Sequence, residues 1–123
     1  MNKICTSIEQ SQKLIELGIN ITTADMYYVK HSLENYYSPI PLIGKYSEIH
    51  NQIPAWSLSS LLILTPNEIL INDEYYYLNL NKTKIEYRGP VTFDGQKSKS
   101  IECNNLVDAA FEMVVWLKEN NKL

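Results

Sequence analysis

The segment that most constrains the fold is the stretch at residues 106–119, because its apolar side chains surround most of a helical wheel. Asn105 is a preferred N-cap, and Asp108 stands at the third helical position, where its charge suits the positive end of the helix dipole. The apolar residues are Leu106, Ala109, Ala110, Phe111, Met113, Val114, Trp116 and Leu117. A helix packed on one side needs a narrower apolar face. The sequence therefore predicts that this helix lies at the centre of the core.

Two further segments are typical of helices. Near the N-terminus, Thr6 followed three residues later by Glu9 matches a capping box, and Gly18 predicts the end of that helix. In the middle of the chain, Ser57 precedes a leucine-rich stretch that Pro66 cannot continue. We expect an N-terminal amphipathic helix and a short middle helix.

Between residues 74 and 88 the apolar period changes from helical spacing to two, which indicates strands. A turn at residues 82–83 would place Leu80 opposite Ile85 and Leu78 opposite Tyr87, so that one face is apolar. The flanking segments 69–71, 91–93 and 101–103 extend this hairpin. The predicted fold class is α+β: an antiparallel meander of three or four strands packed against the three helices. The length of 123 residues predicts a single domain over 1–123.

The stretch from residue 20 to residue 56 gives weaker evidence for secondary structure. Residues 26–29 could form a strand or a helix, and we favour a short strand. Pro39, Pro41 and Gly44 interrupt any sustained period. We therefore expect a long ordered loop over residues 32–53, and loops of this length are uncommon unless they serve a function.

Charge and cysteine content narrow the expected partners and location. The net charge of −3 and the pI near 5.3 disfavour nucleic acid and anionic membranes as partners. No stretch reaches the length of a membrane span. Cys5 and Cys103 are far apart in the sequence, unlike the closely spaced pairs of small secreted domains. These features predict a cytoplasmic protein without a membrane partner.

The residues that could carry chemistry do not show the spacing that is typical of catalytic or metal sites. Asp108 and Glu112 share one helical face, where a metal or acid/base pair could form, but a solvated stripe explains them better. Cys5, Cys103, His31 and His50 are scattered rather than paired as zinc ligands usually are, so we expect no metal. Serine-nucleophile, phosphate-loop and dinucleotide signatures are absent, so no cofactor is expected.

Tyrosine is the one residue type in excess, with nine in the chain. By alternation Tyr75 and Tyr77 project away from the core, and Arg88 stands opposite Tyr77 as a candidate cation–π partner. The loop adds three more tyrosines: Tyr36, Tyr37 and Tyr46. Exposed tyrosines offer a large contact area with a hydroxyl at low entropic cost. The set therefore indicates an interaction surface for a protein partner or a second copy of the chain.

Two alternatives remain open at the level of the sequence. The aromatic strand face could be a second packing surface, covered by the first helix or by the loop. The chain could also be a small-ligand-binding protein or a small enzyme, with a pocket between the 32–53 loop and the sheet. In that case His31, His50 and Tyr46 would supply the polar groups.

Four stretches carry a resemblance to a known family: SIEQSQKLIELGI at 7–19, TADMYY at 23–28, IPAWSLSSLL at 53–62 and DAAFEMVVWLKENNKL at 108–123. They resemble small uncharacterised proteins of gut Bacteroides-type bacteria and their phages. Asn121 stands where that family is expected to have glycine, and asparagine also tolerates a left-handed helix cap. The resemblance implies a cytoplasmic origin and a gut-commensal or mobile-element setting. It implies no activity and no catalytic residue.

Overall fold

The computed structural model describes residues 3–31, 36–41 and 52–123. Three helices and two antiparallel sheets make up an α+β fold, as predicted. In chain order the elements are α1 (Ile8–Glu16), a 3₁₀ turn (Ile21–Thr23), β1 (Met26–His31), β2 (Tyr36–Pro41), β3 (Ile53–Ala55), α2 (Leu58–Leu64), β4 (Glu68–Ile71), β5 (Glu74–Leu80), β6 (Lys84–Thr92), β7 (Gly95–Glu102) and α3 (Leu106–Glu119).

The larger sheet is the predicted meander, with four strands in the order β4-β5-β6-β7. The predicted register is confirmed, because Leu80 pairs with Ile85 and Leu78 pairs with Tyr87. The pairing of β6 with β7 is irregular between Arg88 and Val91, at the glycine–proline pair that interrupts β6. Strands β4 and β5 are joined through the two residues 72–73, which both have positive φ angles of 51° and 65°. Such angles are typical of the tight turns that match the twist of a hairpin.

A second sheet has three strands in the order β2-β1-β3. The strand at residues 26–31 confirms the preferred prediction, but the prediction of a loop over 32–53 is wrong for residues 36–41 and for residue 53, where β3 begins. Pro39 and Pro41 suggested a loop, yet β2 is an edge strand, where a proline need not donate a ladder hydrogen bond. Residues 32–35 and 42–51 lie outside the described part of the chain.

The helix ends follow local capping chemistry. Helix α1 is capped by Ser7, whose hydroxyl accepts from the Gln10 backbone while the Gln10 side chain accepts from the Ser7 backbone. The predicted capping box at Thr6 is therefore wrong by one residue. Helix α3 is capped by Asn105 as predicted, and Asn121 adopts a left-handed φ of 57° just beyond the helix end.

The core forms around α3, which confirms the prediction for this helix. Seven of its residues are buried, and the helix packs against α2, β6 and β7. The largest side chains closed off from solvent around it include Trp56, Tyr87, Leu14, Leu61 and Ile85. Among the described residues, no helix is long and apolar enough to cross a membrane.

Thr6 joins the N-terminal segment to the residue that follows β3. Its N–H donates to the Trp56 carbonyl at 2.9 Å, and its hydroxyl accepts from the Trp56 N–H at 3.0 Å. The Thr6 hydroxyl also lies 2.8 Å from that of Ser11, and its carbonyl accepts from the Tyr28 hydroxyl at 2.6 Å. Thr6 is fully buried, so each of these bonds replaces one to water. Thr6 is thus needed inside the fold, one residue before the helix cap.

Candidate interaction surface

The face of the larger sheet that points away from the core is termed here the outer face. It is identified by alternation, since Tyr76, Ile85 and Tyr87 are buried on the opposite side. The outer face carries Glu68, Leu70, Tyr75, Tyr77, Asn79, Glu86, Arg88, Ser98 and Ser100.

Three neighbouring outer-face residues are large and accessible. Tyr75 is 55% exposed, Tyr77 is 56% exposed and Leu70 is 46% exposed. Leu70 pairs directly with Tyr75 across β4 and β5, so the side chains are adjacent. A packing surface beneath α1 or the loop would have buried these tyrosines. Among the described residues, none covers this aromatic strip.

A buried carboxylate lies beside this strip. Glu86 is only 6% exposed, although it belongs to the outer face. Arg88 donates its Nε–H to Glu86 at 2.5 Å, and the Lys84 ammonium lies 3.7 Å from the same carboxylate. Arg88 pairs with Tyr77 in the register as predicted, but the cation–π contact present in residues 52–123 places Lys99 over Trp116 at 5.1 Å. Arg88 thus forms an ion pair with the buried carboxylate of Glu86 rather than a cation–π contact with Tyr77.

Two of the loop tyrosines, Tyr36 and Tyr37, do not join the outer face. Tyr36 and Tyr37 belong to β2 of the smaller sheet, where they pair with His31 and Lys30. Tyr37 is 39% exposed. Tyr46 lies outside the described residues. The structure therefore brings Tyr75, Tyr77 and Arg88 together, and it places Tyr36 and Tyr37 on a different sheet.

Asp108 is the centre of a polar network that the sequence did not reveal. Its carboxylate accepts from the Lys3 ammonium at 2.6 Å, from the Gln10 amide at 3.0 Å and from the Asn105 amide at 2.9 Å. Partial burial opposes ionisation, but these hydrogen bonds outweigh it and hold the pKa of Asp108 below its ordinary value. Glu112 is exposed on the same helix. Asp108 is therefore a structural anion joining three segments, rather than part of a solvated stripe.

The surroundings of the two cysteines disfavour thiol reactivity. Cys5 is buried and its sulfur lies 3.7 Å from the Tyr28 hydroxyl. Burial raises the pKa of the Cys5 thiol. Burial also raises the pKa of the Tyr28 hydroxyl, and the hydrogen bond with Cys5 raises it further. Burial, together with nearby carboxylates, also raises the pKa of Cys103, which is partly buried against the core. Raised thiol pKa values disfavour the thiolate that a nucleophile or metal ligand requires.

The remaining candidates for metal or pocket chemistry lie largely outside the described side chains. His50 is outside the described residues, and the side chain of His31 is not described. Among the residues that are described, no three histidine, cysteine or acidic side chains group as metal ligands. The ligand-binding or enzymatic alternative at the 32–53 loop thus stays a prediction.

Surface depressions on the described part of the chain include the following two. One has a volume of about 370 Å³ and lies at the start of α3, lined by Lys3, Leu58, Lys82 and residues 104–107. The other, of about 360 Å³, is formed by residues 91–93 at the tip of the β6–β7 hairpin. Both are shallow features of the surface, lined by side chains of mixed polarity in the first case and mainly apolar ones in the second.

Comparison of the chain with models of protein families, with curated proteins and with solved structures finds no match.

Proposed function

We propose that this protein is a non-enzymatic interaction module that binds another protein, or a second copy of itself, through the outer face of its four-stranded sheet. The observation that carries the proposal is the exposure of Tyr75 and Tyr77, each above 50%, next to the exposed Leu70. Each residue sits on a paired strand of a sheet backed by the core, so the strip is held by a rigid support.

The composition of the strip suits protein recognition. Tyrosine and tryptophan are enriched where proteins meet, because a large rigid ring can be buried while its polar group keeps a hydrogen bond. Glu68, Asn79 and Arg88 surround the tyrosines with polar groups. An apolar centre within a polar margin is the usual arrangement of a protein interface.

The polar clusters favour binding over catalysis. Asp108 is engaged by three hydrogen-bond donors, and Glu86 is held between two cations. The thiol of Cys5 has a raised pKa and little access to solvent. Each of these groups has a structural partner, so none is poised to exchange protons with a substrate.

The experiment replaces Tyr75 and Tyr77 together by alanine. We expect the double variant to keep its thermal stability, because both side chains are exposed, and to lose the contact that the wild-type protein makes through its outer face, with a partner or with a second copy. Ile63→Ala is the matched control, since Ile63 is an 83% exposed apolar residue on α2. Light scattering measures the mass, and affinity capture compares the bound proteins. If the folded double variant retains the wild-type mass and binding profile, the outer face is the wrong surface.

A further inference from the structure

The edges of the two sheets differ in how their backbone groups are covered. On β4, the Leu70 carbonyl accepts a hydrogen bond from the Lys122 ammonium at 2.5 Å. On β2, Pro39 and Pro41 have no N–H to offer. Strand β3 has only three residues, two of them buried. Such features are how proteins prevent unwanted strand pairing. Of the four edges that the described strands form, three are therefore blocked.

Strand β7 forms the fourth edge, and no described strand covers it. The Cys103 N–H donates to the Thr83 carbonyl at 3.0 Å, which fixes the alternation of hydrogen-bonded pairs along β6 and β7. Counting back in steps of two, the backbone groups of Ser98, Ser100 and Glu102 point away from β6. All three residues are exposed. Within residues 52–123 no strand pairs with this side of β7.

We propose that a second copy of the chain adds to this edge, so that two β7 strands pair antiparallel about a two-fold axis at Ser100. The two four-stranded sheets would then form one continuous eight-stranded sheet. This edge is a different surface from the tyrosine strip, and pairing through β7 does not depend on that strip. An axis perpendicular to the sheet would leave the outer faces of both copies on the same side.

The charges on β7 select this partner and this register. A two-fold axis at Ser98 or at Lys99 places lysines directly opposite each other, and an axis at Glu102 places two glutamates opposite each other. Like charges in such pairs are destabilising. With the axis at Ser100, Lys99 faces Ile101 of the second copy, and Ser98 faces its Glu102. An axis at Ile101 also avoids like charges. However, fewer residues of the regularly paired segment 98–102 would then face the same segment of the second copy.

The two lysines of β7 leave the edge accessible. The Lys97 ammonium lies 2.7 Å from the Glu74 carboxylate, and Lys99 lies over the Trp116 ring. Both side chains are thereby held against their own chain. The two lysines therefore disfavour the other pairing registers of two β7 strands, and they do so without covering the outward N–H and C=O groups of β7.

The hairpin tip supplies apolar area that strand pairing alone would lack. Val91 is 77% exposed and Phe93 is fully exposed. When the register is continued, Gln96 lies opposite Asn104 of the second copy. The tip is then directed toward the depression of about 370 Å³ at the start of α3, whose lining includes Leu106. An exposed aromatic side chain and a partly apolar depression are brought together twice by the same axis.

The first test measures the mass of the protein by sedimentation at several concentrations. We expect a monomer–dimer equilibrium for the wild-type protein. Ser100→Pro removes the central outward N–H at an edge position that tolerates proline, and we expect it to be monomeric. Ser100→Ala keeps that N–H and should dimerise like the wild type. A wild-type protein that stays monomeric to about 1 mM, or a Ser100→Pro variant that dimerises normally, would overturn the proposal.

Charge variants test the register without removing a backbone group. Ser98→Glu places a glutamate opposite Glu102 of the second copy, and we expect the dimer to weaken about 2- to 30-fold, since the contact occurs twice. Ser98→Lys should strengthen it. In the monomer Ser98 pairs with Arg88, which predicts the opposite order for thermal stability. Equal dimer affinities for both variants would contradict the proposed register.

Phe93→Ala tests the hairpin tip, because Phe93 is fully exposed and contributes little to the fold. We expect weaker dimerisation at unchanged melting temperature, and no change in affinity would exclude the tip from the interface. The variant of Tyr75 and Tyr77 serves as the control here, because it should keep the dimer that forms through β7 and lose only what binds to the outer face. If only the tyrosine variant loses binding to a partner, the outer-face proposal holds without the β7 dimer. If only Ser100→Pro loses dimerisation, the β7 dimer holds without the outer-face proposal.

Discussion

Replacing Tyr87 by phenylalanine tests how a single hydroxyl supports the central strand. Tyr87 is fully buried on β6, and its hydroxyl donates to the Pro66 carbonyl at 2.7 Å, which ties the end of α2 to the sheet. The ring packing is kept in the variant, so the loss is limited to the hydrogen bond. A buried acceptor left without its donor costs about 1–3 kcal/mol. Pro66 is only partly buried, so we expect the lower part of that range, about 1–2 kcal/mol.

This cost converts into a measurable shift of the melting temperature. For 123 residues, an unfolding entropy of about 2.1 cal/mol/K per residue gives about 0.26 kcal/mol per degree. A loss of about 1–2 kcal/mol therefore lowers the melting temperature by about 4–8 °C. Calorimetry measures the shift, and Tyr77→Phe is the matched control because Tyr77 is exposed on the neighbouring strand. Equal melting temperatures for the two variants would refute the reasoning.

The same variant has a distinctive pH dependence. Burial raises the pKa of Tyr87 from the ordinary value of 10.0 to about 12. Below pH 10 the phenol is neutral in both the folded and the unfolded chain. As the pH rises toward 12, the unfolded chain loses this proton first, which favours unfolding. Phenylalanine has no such proton, so the stability gap between wild type and variant should narrow over this interval. A constant gap would contradict the assignment.

Three further predictions concern other parts of the fold. Asp108→Asn should lower the free energy of unfolding by about 1 kcal/mol near neutral pH, because the charge paired with Lys3 is lost. Since the pKa of Asp108 is lowered in the folded state, chemical denaturation should show this gap closing as the pH falls below the ordinary value of 3.8. Asp73→Gly should stabilise the protein by up to about 1 kcal/mol in the same assay, because Asp73 has a φ of 65° at the second position of a hairpin turn. Gly89→Ala should destabilise by about 1–3 kcal/mol, because the added Cβ would lie 2.5 Å from the Tyr76 ring, and Tyr76→Leu in the same chain should restore part of the loss.

The parts of the fold that follow from local patterns could be predicted from the sequence. The cap at Asn105 and the wide apolar arc behind it determine where α3 begins and that it is buried. The alternation that pairs Leu78 with Tyr87 determines the register of the central hairpin. Each signal is contained in a short window, where sterics and hydrophobic burial decide the outcome without help from distant residues.

The second sheet could not be predicted, because its evidence depends on position in the fold. Prolines at 39 and 41 argue against a strand, unless the strand lies at an edge with its N–H positions unused. Whether a strand is an edge is a property of the whole sheet, which no local window contains. The capping box was misplaced for a similar reason. Thr6 has the right chemistry for a cap, but Trp56 occupies its hydroxyl in the buried contact between two distant segments.

The candidate surfaces show the same division between local pattern and global placement. Alternation assigned Tyr75 and Tyr77 to the face opposite the core, and this assignment required only the strand period. Their exposure could not be predicted in this way, because it depends on the finding that no other described element covers that face. The open edge of β7 required still more, since it depends on which strand ends the sheet. The apolar residues of α3 and of the central hairpin can therefore be predicted from short windows of sequence, whereas the surfaces available to a partner depend on where the four-stranded sheet ends.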